Sequence, residues 1–160
     1  MTGVYIHISS NDSKKLYAGN RLDDFVVEFD AEISPCHSSG NMRAGGGGGG
    51  GELAVAVTEL SIVGAKPFAN RHQTLAESCV LLCDICDSSY ICGVTSPVLR
   101  VFPSANELSV SLFQPYYVAV RVRSFKRIHF QVKTRDLLPL DSDKWDLTSV
   151  VRCTLHFVNL

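Results

Sequence analysis

Hydrophobic and polar residues alternate with a period of two along most of the chain. The alternation is clearest in residues 25–29, where Phe25, Val27 and Phe29 share one face, and in residues 127–133. Successive side chains of a β-strand point to opposite faces of its sheet, so this period is typical of a strand with one buried face. The pattern predicts half-buried strands in both stretches.

Strands are predicted throughout the chain, and no stretch is convincing as a helix. They are predicted over residues 4–8, 25–29, 53–63, 79–86, 97–102, 116–122, 127–133 and 150–158. Residues 108–112 also alternate, as a strand or as an irregular edge segment, and residues 87–93 are predicted to be a polar connection. About eight strands, separated by turn residues and without helices, indicate a two-sheet antiparallel sandwich.

Residues 53–63 predict a central strand that is covered on both sides, because both of its faces are mostly apolar. One face is predicted to carry Leu53, Val55, Val57, Glu59, Ser61 and Val63. The residues between them, from Ala54 to Ile62, form the other face. The alanines would also suit a helix, but the enrichment in Val, Ile and Thr favours a strand.

The composition indicates one domain with its own core, spanning residues 1–160. Of the 160 residues 46% are hydrophobic, and the net charge is −1. A domain of this size buries roughly 70% of the surface that its unfolded chain exposes, so it needs neither a metal nor a disulfide to be stable. The basic bias that points to nucleic acid is absent.

We expect the chain to be made in the cytosol. Its first residues do not resemble a signal peptide, and no apolar run approaches the ~20 residues of a membrane span. Thiols stay reduced in that compartment, so the even number of six cysteines is not evidence for disulfides.

Seven consecutive glycines occupy residues 45–51. Glycine has no side chain to bury and a large ordering entropy, so a flexible insertion is predicted at about residues 37–52. A phosphate-binding loop is disfavoured, since no Lys-Ser or Lys-Thr pair follows and the next element is a strand.

Four of the six cysteines, Cys79, Cys83, Cys86 and Cys92, lie close together in the sequence and raise the question of a zinc site. Four zinc ligands must converge on one ion. In a strand, Cys83 and Cys86 would face opposite sides of the sheet, while Cys79 and Cys83 would share a face roughly 13 Å apart. We therefore predict buried structural thiols and no metal site.

The sequence contains no recognisable catalytic motif, and we predict neither an enzyme nor a cofactor. A nucleophilic cysteine needs a nearby base, but the histidines are scattered and none lies in a recognisable motif. His129 and His156 alternate with apolar residues, so they are predicted to be solvated or interface residues. The paired acids are interpreted as solvated turn residues: Asp84 with Asp87, and Asp141 with Asp143.

Six basic residues lie within fifteen positions: Arg121, Arg123, Lys126, Arg127, Lys133 and Arg135. Such a cluster suits binding of nucleic acid or of an acidic protein. It suits a solvated sheet face equally well, and the sequence does not separate the two interpretations.

Four segments share a further pattern: residues 25–29, residues 53–62, residues 83–102, and residues 115–120 with 154–157. The second is similar to a W-x-V-A-L-x-E-I strand, the third to a C-D-hydrophobic element that runs to P-L-L-R, and the last to a P-x-Y-x-P-V…L-H-F ending. In that order they resemble the single jelly-roll minor capsid (penton) protein of Polinton/Maverick elements and adintoviruses. Glu52-Leu53 stands where the family usually has Trp, and the glycine run is not a family feature.

The resemblance implies an all-β fold, a single eight-stranded antiparallel jelly-roll sandwich with a disordered Gly-rich loop. Periodicity alone leaves the strand order open. Similar proteins form pentamers at the five-fold vertices of an icosahedral shell, beside a double jelly-roll major capsid protein. We expect the subunit interface at Tyr116, Tyr117, Arg121 and Arg123, with a contribution from the covered outer face of residues 53–63.

The same resemblance implies a virion protein that assembles inside the host cell, in the nucleus. A host receptor is a further expected partner, whereas a membrane or nucleic acid is not. Two other functions stay open at this point. One is a jelly-roll binding module, such as a trimeric cytokine-like ligand or a lectin, although such modules usually enter the secretory pathway. The other is a zinc-dependent nucleic-acid-binding protein.

Overall fold

A computed structural model describes residues 3–35, 51–63, 78–103, 108–111, 114–143 and 145–160. Within these ranges the regular secondary structure is entirely β. None of the described residues form a helix that could cross a membrane. The predicted flexible insertion falls almost wholly outside the described residues.

The described residues form eleven strands. They are β1 (Val4–Ser9), β2 (Asp24–Ile33), β3 (Leu53–Val63), β4 (Ser78–Cys83), β5 (Ser89–Ile91), β6 (Val94–Ser96), β7 (Val98–Pro103), β8 (Leu108–Ser111), β9 (Val118–Ala119), β10 (Phe125–Thr134) and β11 (Val150–Asn159). The predicted number of eight was too low, because β5, β6 and β9 are short additions to eight longer strands.

Two antiparallel sheets contain these eight longer strands. The first has the order β1-β11-β3-β8, with β9 also paired to β3, and the second has the order β2-β10-β4-β7. Numbered among themselves, the eight strands follow the orders 1-8-3-6 and 2-7-4-5. Eight antiparallel strands that cross between two sheets in this way form a jelly roll, so the predicted fold class is confirmed.

Three strand predictions were wrong in their extent. The strand predicted over residues 79–86 ends at Cys83, and a turn follows in which the Cys86 amide donates to the Cys83 carbonyl at 3.1 Å. The strand predicted over residues 116–122 is reduced to two residues. The predicted connection 87–93 contains most of a hairpin made by β5 and β6.

The hairpin turn explains why the pattern missed β5 and β6. Cys92 and Gly93 join the two strands, and both have positive φ angles, 48° and 82°. A two-residue turn of this type requires positive φ at both positions, and Asn-Gly is its strongest sequence signal. Cys-Gly does not carry that signal.

A β-bulge in β3 reverses the faces that alternation predicts for its second half. Val57 pairs with Leu155 and Glu59 with Thr154, so Thr58 is the extra residue. Residues 53–57 are buried on both faces, which confirms the prediction of a strand covered on both sides in this half. After the bulge the second half is shifted by one position, and Leu60 and Ile62 face the core in place of Glu59, Ser61 and Val63.

The core lies between the two sheets and is rich in aromatic rings. Phe25 and Phe130 stack with ring centroids 5.1 Å apart within the second sheet. Phe125 of the second sheet and Phe157 of the first lie 5.5 Å apart and join the sheets across the core. Each such pair is worth about 1 kcal/mol beyond the apolar area that it buries.

Phe130→Ala should lower the free energy of unfolding by about 3–5 kcal/mol, the usual cost of an emptied aromatic site. Phe130 is fully buried, whereas Tyr90 is 77% exposed. Urea unfolding at 25 °C measures both variants, and Tyr90→Ala is the control that should change the free energy by less than about 1 kcal/mol. Equal losses in the two variants would contradict this position of the core.

Candidate functional site

The predicted interface residues lie at one end of the sandwich, called here the lower end, where β4 and β8 finish and β3 and β10 begin. They belong to residues 114–124, the connection between β8 and β10. The Val120 amide donates to the Leu53 carbonyl at 2.8 Å, and the Arg121 amide donates to the Ile85 carbonyl at 3.0 Å. The connection is therefore held by the first residue of β3 in one sheet and by the turn after β4 in the other.

The four predicted residues divide into two kinds. Tyr116 is 68% exposed, and Arg123 is exposed too. Tyr117 is half-buried, with its hydroxyl 2.8 Å from Nδ1 of His156, and Arg121 donates from Nη2 to the carbonyl oxygen of Asp84. Sequence reasoning placed all four together but did not distinguish the two that make contacts within their own chain. A role in subunit contacts stays a prediction for all of them.

His156 lies on the outer face of β11, as alternation predicts, but it is not solvated. It is 7% exposed, because the Tyr5 ring stacks on it at a centroid distance of 4.1 Å and Tyr117 covers its edge. Gly3 leaves the space that the ring needs, since a Cβ atom there would lie 2.1 Å from Nε2 of His156. Loss of contact with water lowers the pKa of His156.

His129 and Asp84 form a second polar contact at the lower end. The backbone amide of His129 donates to Oδ1 of Asp84 at 3.0 Å. Nε2 of the His129 side chain lies 2.7 Å from Oδ1 of Asp24. The His129 side chain is 39% exposed, which agrees with the predicted outward position. Asp84 is not a solvated turn residue, because its carboxylate bonds β10 to the turn after β4.

The turn after β4 brings Cys83 and Cys86 together, and the prediction that they face opposite sides of a sheet is wrong. Cys83 is the last residue of its strand, so strand geometry does not apply to the pair. Burial raises the pKa of the Cys83 thiol, and a hydrogen bond with the Cys86 thiol raises it further. Among the described residues no three His, Cys, Asp or Glu side chains are grouped so that they could hold a metal ion.

The other three cysteines that the structure describes occupy two kinds of environment. Cys79 lies in the core on the same face as Cys83, as predicted. Cys153 is also buried, and loss of contact with water raises the pKa of its thiol. Cys92, however, is exposed at the tip of the β5–β6 hairpin, so its predicted burial is wrong. Its Sγ lies 3.2 Å from the carbonyl oxygen of Arg135.

A polar cluster on the outer face of the first sheet is the nearest approach to a catalytic arrangement. Oγ1 of Thr154 lies 2.9 Å from Nδ1 of His7 and 3.2 Å from Oε2 of Glu59. In a nucleophile–base–acid triad the carboxylate contacts the histidine and orients it. Here Glu59 contacts the hydroxyl instead. The arrangement suits a cross-strand hydrogen-bond network.

No protein-family model matches the chain, and no curated protein matches it. One solved structure that is similar is the crystal structure of the mavirus penton protein. The alignment covers 99% of this chain and 100% of that one, with a TM-score of 0.57 and a sequence identity of 8%. This chain shares the fold of that penton protein. At such a low identity the comparison says nothing of individual residues.

Stability should fall as the pH drops from 8 to below the ordinary imidazole pKa of 6.5, partly because of His156. Its folded pKa lies below the ordinary value of 6.5, so between these two pKa values the unfolded chain binds more protons. The free energy of unfolding therefore decreases as the pH falls through that window. Urea unfolding at several pH values should give a shallower decrease for His156→Gln. Unfolding at pH 8, where the imidazole is neutral in both states, is the reference. Parallel curves for the two proteins would contradict the assignment.

Thiol reagents should separate the described cysteines by exposure. We expect iodoacetamide to modify Cys92 in the folded protein, while Cys83, Cys86 and Cys153 react only after unfolding in urea, because burial blocks access of the reagent. Peptide mapping by mass spectrometry identifies each modified position. Cys92→Ser is the control and should abolish the rapid phase at that peptide. Fast labelling of Cys83 or Cys86 would show that the turn after β4 opens easily.

Proposed function

We propose that this chain is a structural protein of a viral capsid, a penton or minor capsid protein that forms pentamers at the five-fold vertices of an icosahedral virion. The observation that carries the proposal is the similarity of fold to the mavirus penton protein over 99% of this chain and 100% of that one. The alignment extends over nearly the whole of this chain, so the fold as a whole and not a single motif supports the proposal.

The shape of the sandwich suits a closed ring. A five-fold ring needs a head-to-tail interface, in which one side of each subunit meets a different side of the next. The two sheets present four different edge strands: β1 and β8 in the first, β2 and β7 in the second. Asp30 and Glu32 are exposed on β2, and charges on an edge discourage open-ended strand pairing. We expect the side chains of residues 114–124 to contribute to the interface.

The proposed role brings with it a set of partners and a location. The pentamer would sit in the virion beside a double jelly-roll major capsid protein, assembled inside the host cell, in its nucleus, and a host receptor would be a further partner. We propose a non-enzymatic role, which the Thr154 network supports because its carboxylate contacts the hydroxyl and not the imidazole. The comparison does not favour a trimeric ligand, a lectin or a zinc-dependent nucleic-acid-binding protein.

Purified protein should contain a species of about five times the chain mass of 17.5 kDa when measured by size exclusion with light scattering. Tyr116→Ser and Arg123→Gln should shift this species toward the monomer without changing thermal stability, because both side chains are exposed and have no partner among the described residues. Leu138→Ser is the control: it removes another exposed side chain, 60% accessible, at the opposite end of the sandwich.

A trimer would support the ligand-like alternative instead. A strict monomer at high concentration would rule out self-assembly into a pentamer. Tyr117→Phe separates a fold effect from an interface effect, since it removes a hydroxyl that contacts His156 within the chain. It should lower stability by about 1 kcal/mol and leave the oligomer mass unchanged.

A further inference from the structure

A groove at the lower end of the sandwich, called here the lower groove, combines an apolar floor with a basic rim. Its volume is about 500 Å³, within the range of binding sites in proteins. Ile85, Val122 and Phe125 form the apolar part, and the rim contains the three cations Arg121, Lys126 and Arg127. A surface of this composition can bind charged groups and an apolar side chain at the same time.

The carboxylates that line the lower groove are already engaged. Glu28 accepts a hydrogen bond of 2.6 Å from the Tyr17 hydroxyl and lies 3.9 Å from Nζ of Lys126. Asp84 accepts from the backbone amide of His129 at 3.0 Å. Neither carboxylate forms an ion pair with an arginine of the rim, and both act as structural acceptors.

The arginines of the rim form no ion pair with the described residues, and Glu28, which lies opposite Arg127 on the neighbouring strand, contacts Lys126 instead. Arg121 donates to the carbonyl oxygen of Asp84, which is a neutral acceptor. Arg127, and Arg123 beside the groove, are exposed and form no ion pair with any of the described residues. The whole chain has a net charge of −1, so this concentration of cations is local and not a consequence of overall composition.

A single-stranded or duplex nucleic acid fits the lower groove poorly. Its affinity would come from many phosphate contacts along an extended basic track. The groove offers three cations within a confined space, which is too few for such a track. Acidic and apolar side chains that alternate along a peptide fit better, because carboxylates can bind at the rim while apolar groups contact the floor.

We propose that the lower groove binds an acidic peptide segment of another protein, with carboxylates paired to Arg121 and Arg127 and an apolar side chain on the floor between them. Arginine suits this role because its planar guanidinium can bind a carboxylate through two parallel hydrogen bonds. The lower groove shares Arg121 and Val122 with the connection proposed for subunit contacts, so peptide binding and oligomer mass are measured separately. In a vertex protein it would bind an acidic segment of the surrounding shell.

The test uses the full chain and a synthetic hexapeptide with blocked ends that alternates Asp or Glu with Leu or Phe. NMR titration of the isotopically labelled protein should shift the backbone signals of Ile85, Val122 and Arg127 and give a dissociation constant. Arg127→Gln should raise the dissociation constant of the peptide by at least about tenfold, and higher salt should raise it as well. Arg152→Gln is the matched control, an exposed strand arginine in the other sheet, and it should leave the affinity unchanged.

Three comparisons decide the outcome. Equal binding of the hexapeptide with Asn and Gln in place of its acids would overturn the role of the cations. Tighter binding of a 15-nucleotide oligo-dT would overturn the choice of a peptide. A fall in oligomer mass in Arg127→Gln, without any peptide binding to the wild type, would assign the groove to a second copy of this chain and overturn the proposal. Thermal unfolding of Arg127→Gln controls for loss of the fold. Its melting temperature should match that of the wild type within a few degrees.

Discussion

The pairing of β3 with β11 is the constraint on which the rest of the molecule depends. Ten residue pairs join the two strands, from Leu53 with Asn159 to Val63 with Val150. They connect chain segments about a hundred residues apart, so the loop entropy lost in bringing them together must be offset by burial. Residues 53–57 are buried on both faces of the strand, and this apolar contact offsets part of the lost entropy.

The lower end of the sandwich is built directly on this pairing. β9 pairs with Ala54 and Val55 of β3, and His156 lies opposite Ala56, where Tyr5 and Tyr117 cover it. Main-chain hydrogen bonds hold the connection between β8 and β10, so its exposed side chains are available for contacts with other molecules. A rigid backbone with free side chains costs less entropy on binding than a loop that must first be ordered.

Periodicity predicted the longer strands, but it did not predict where their order is interrupted. The bulge at Thr58 adds one residue to β3 without any change in composition, because only the partner strand determines which residue stays unpaired. The turn from Cys83 to Cys86 was missed because Ile85 and Cys86, beyond Asp84, have the same composition as the strand before them. Cys92 adopts a positive φ, which is uncommon for residues other than glycine and is therefore not predicted from its residue type.

For the candidate site too, the sequence predicted which residues lie together but not the contacts that each of them makes. Tyr116, Tyr117, Arg121 and Arg123 lie within eight consecutive positions, so their proximity follows from the sequence alone. Their different environments do not, since His156 and Asp84, which bind two of them, are 39 and 37 residues away. The extent of the domain and the behaviour of the Gly-rich insertion stay predictions.

The sequence by itself determined that this protein is built from strands and, where a strand is regular, which of its side chains enter the core, because a period of two is a local property of the chain. Only the tertiary structure decided the jelly-roll order of the strands, the reversal of faces at the bulge and the burial of His156. The alternation of apolar and polar residues in a strand is the same whichever strand pairs with it, so it does not determine the strand order. The choice among partners is made by how well two sheets fill the space between them.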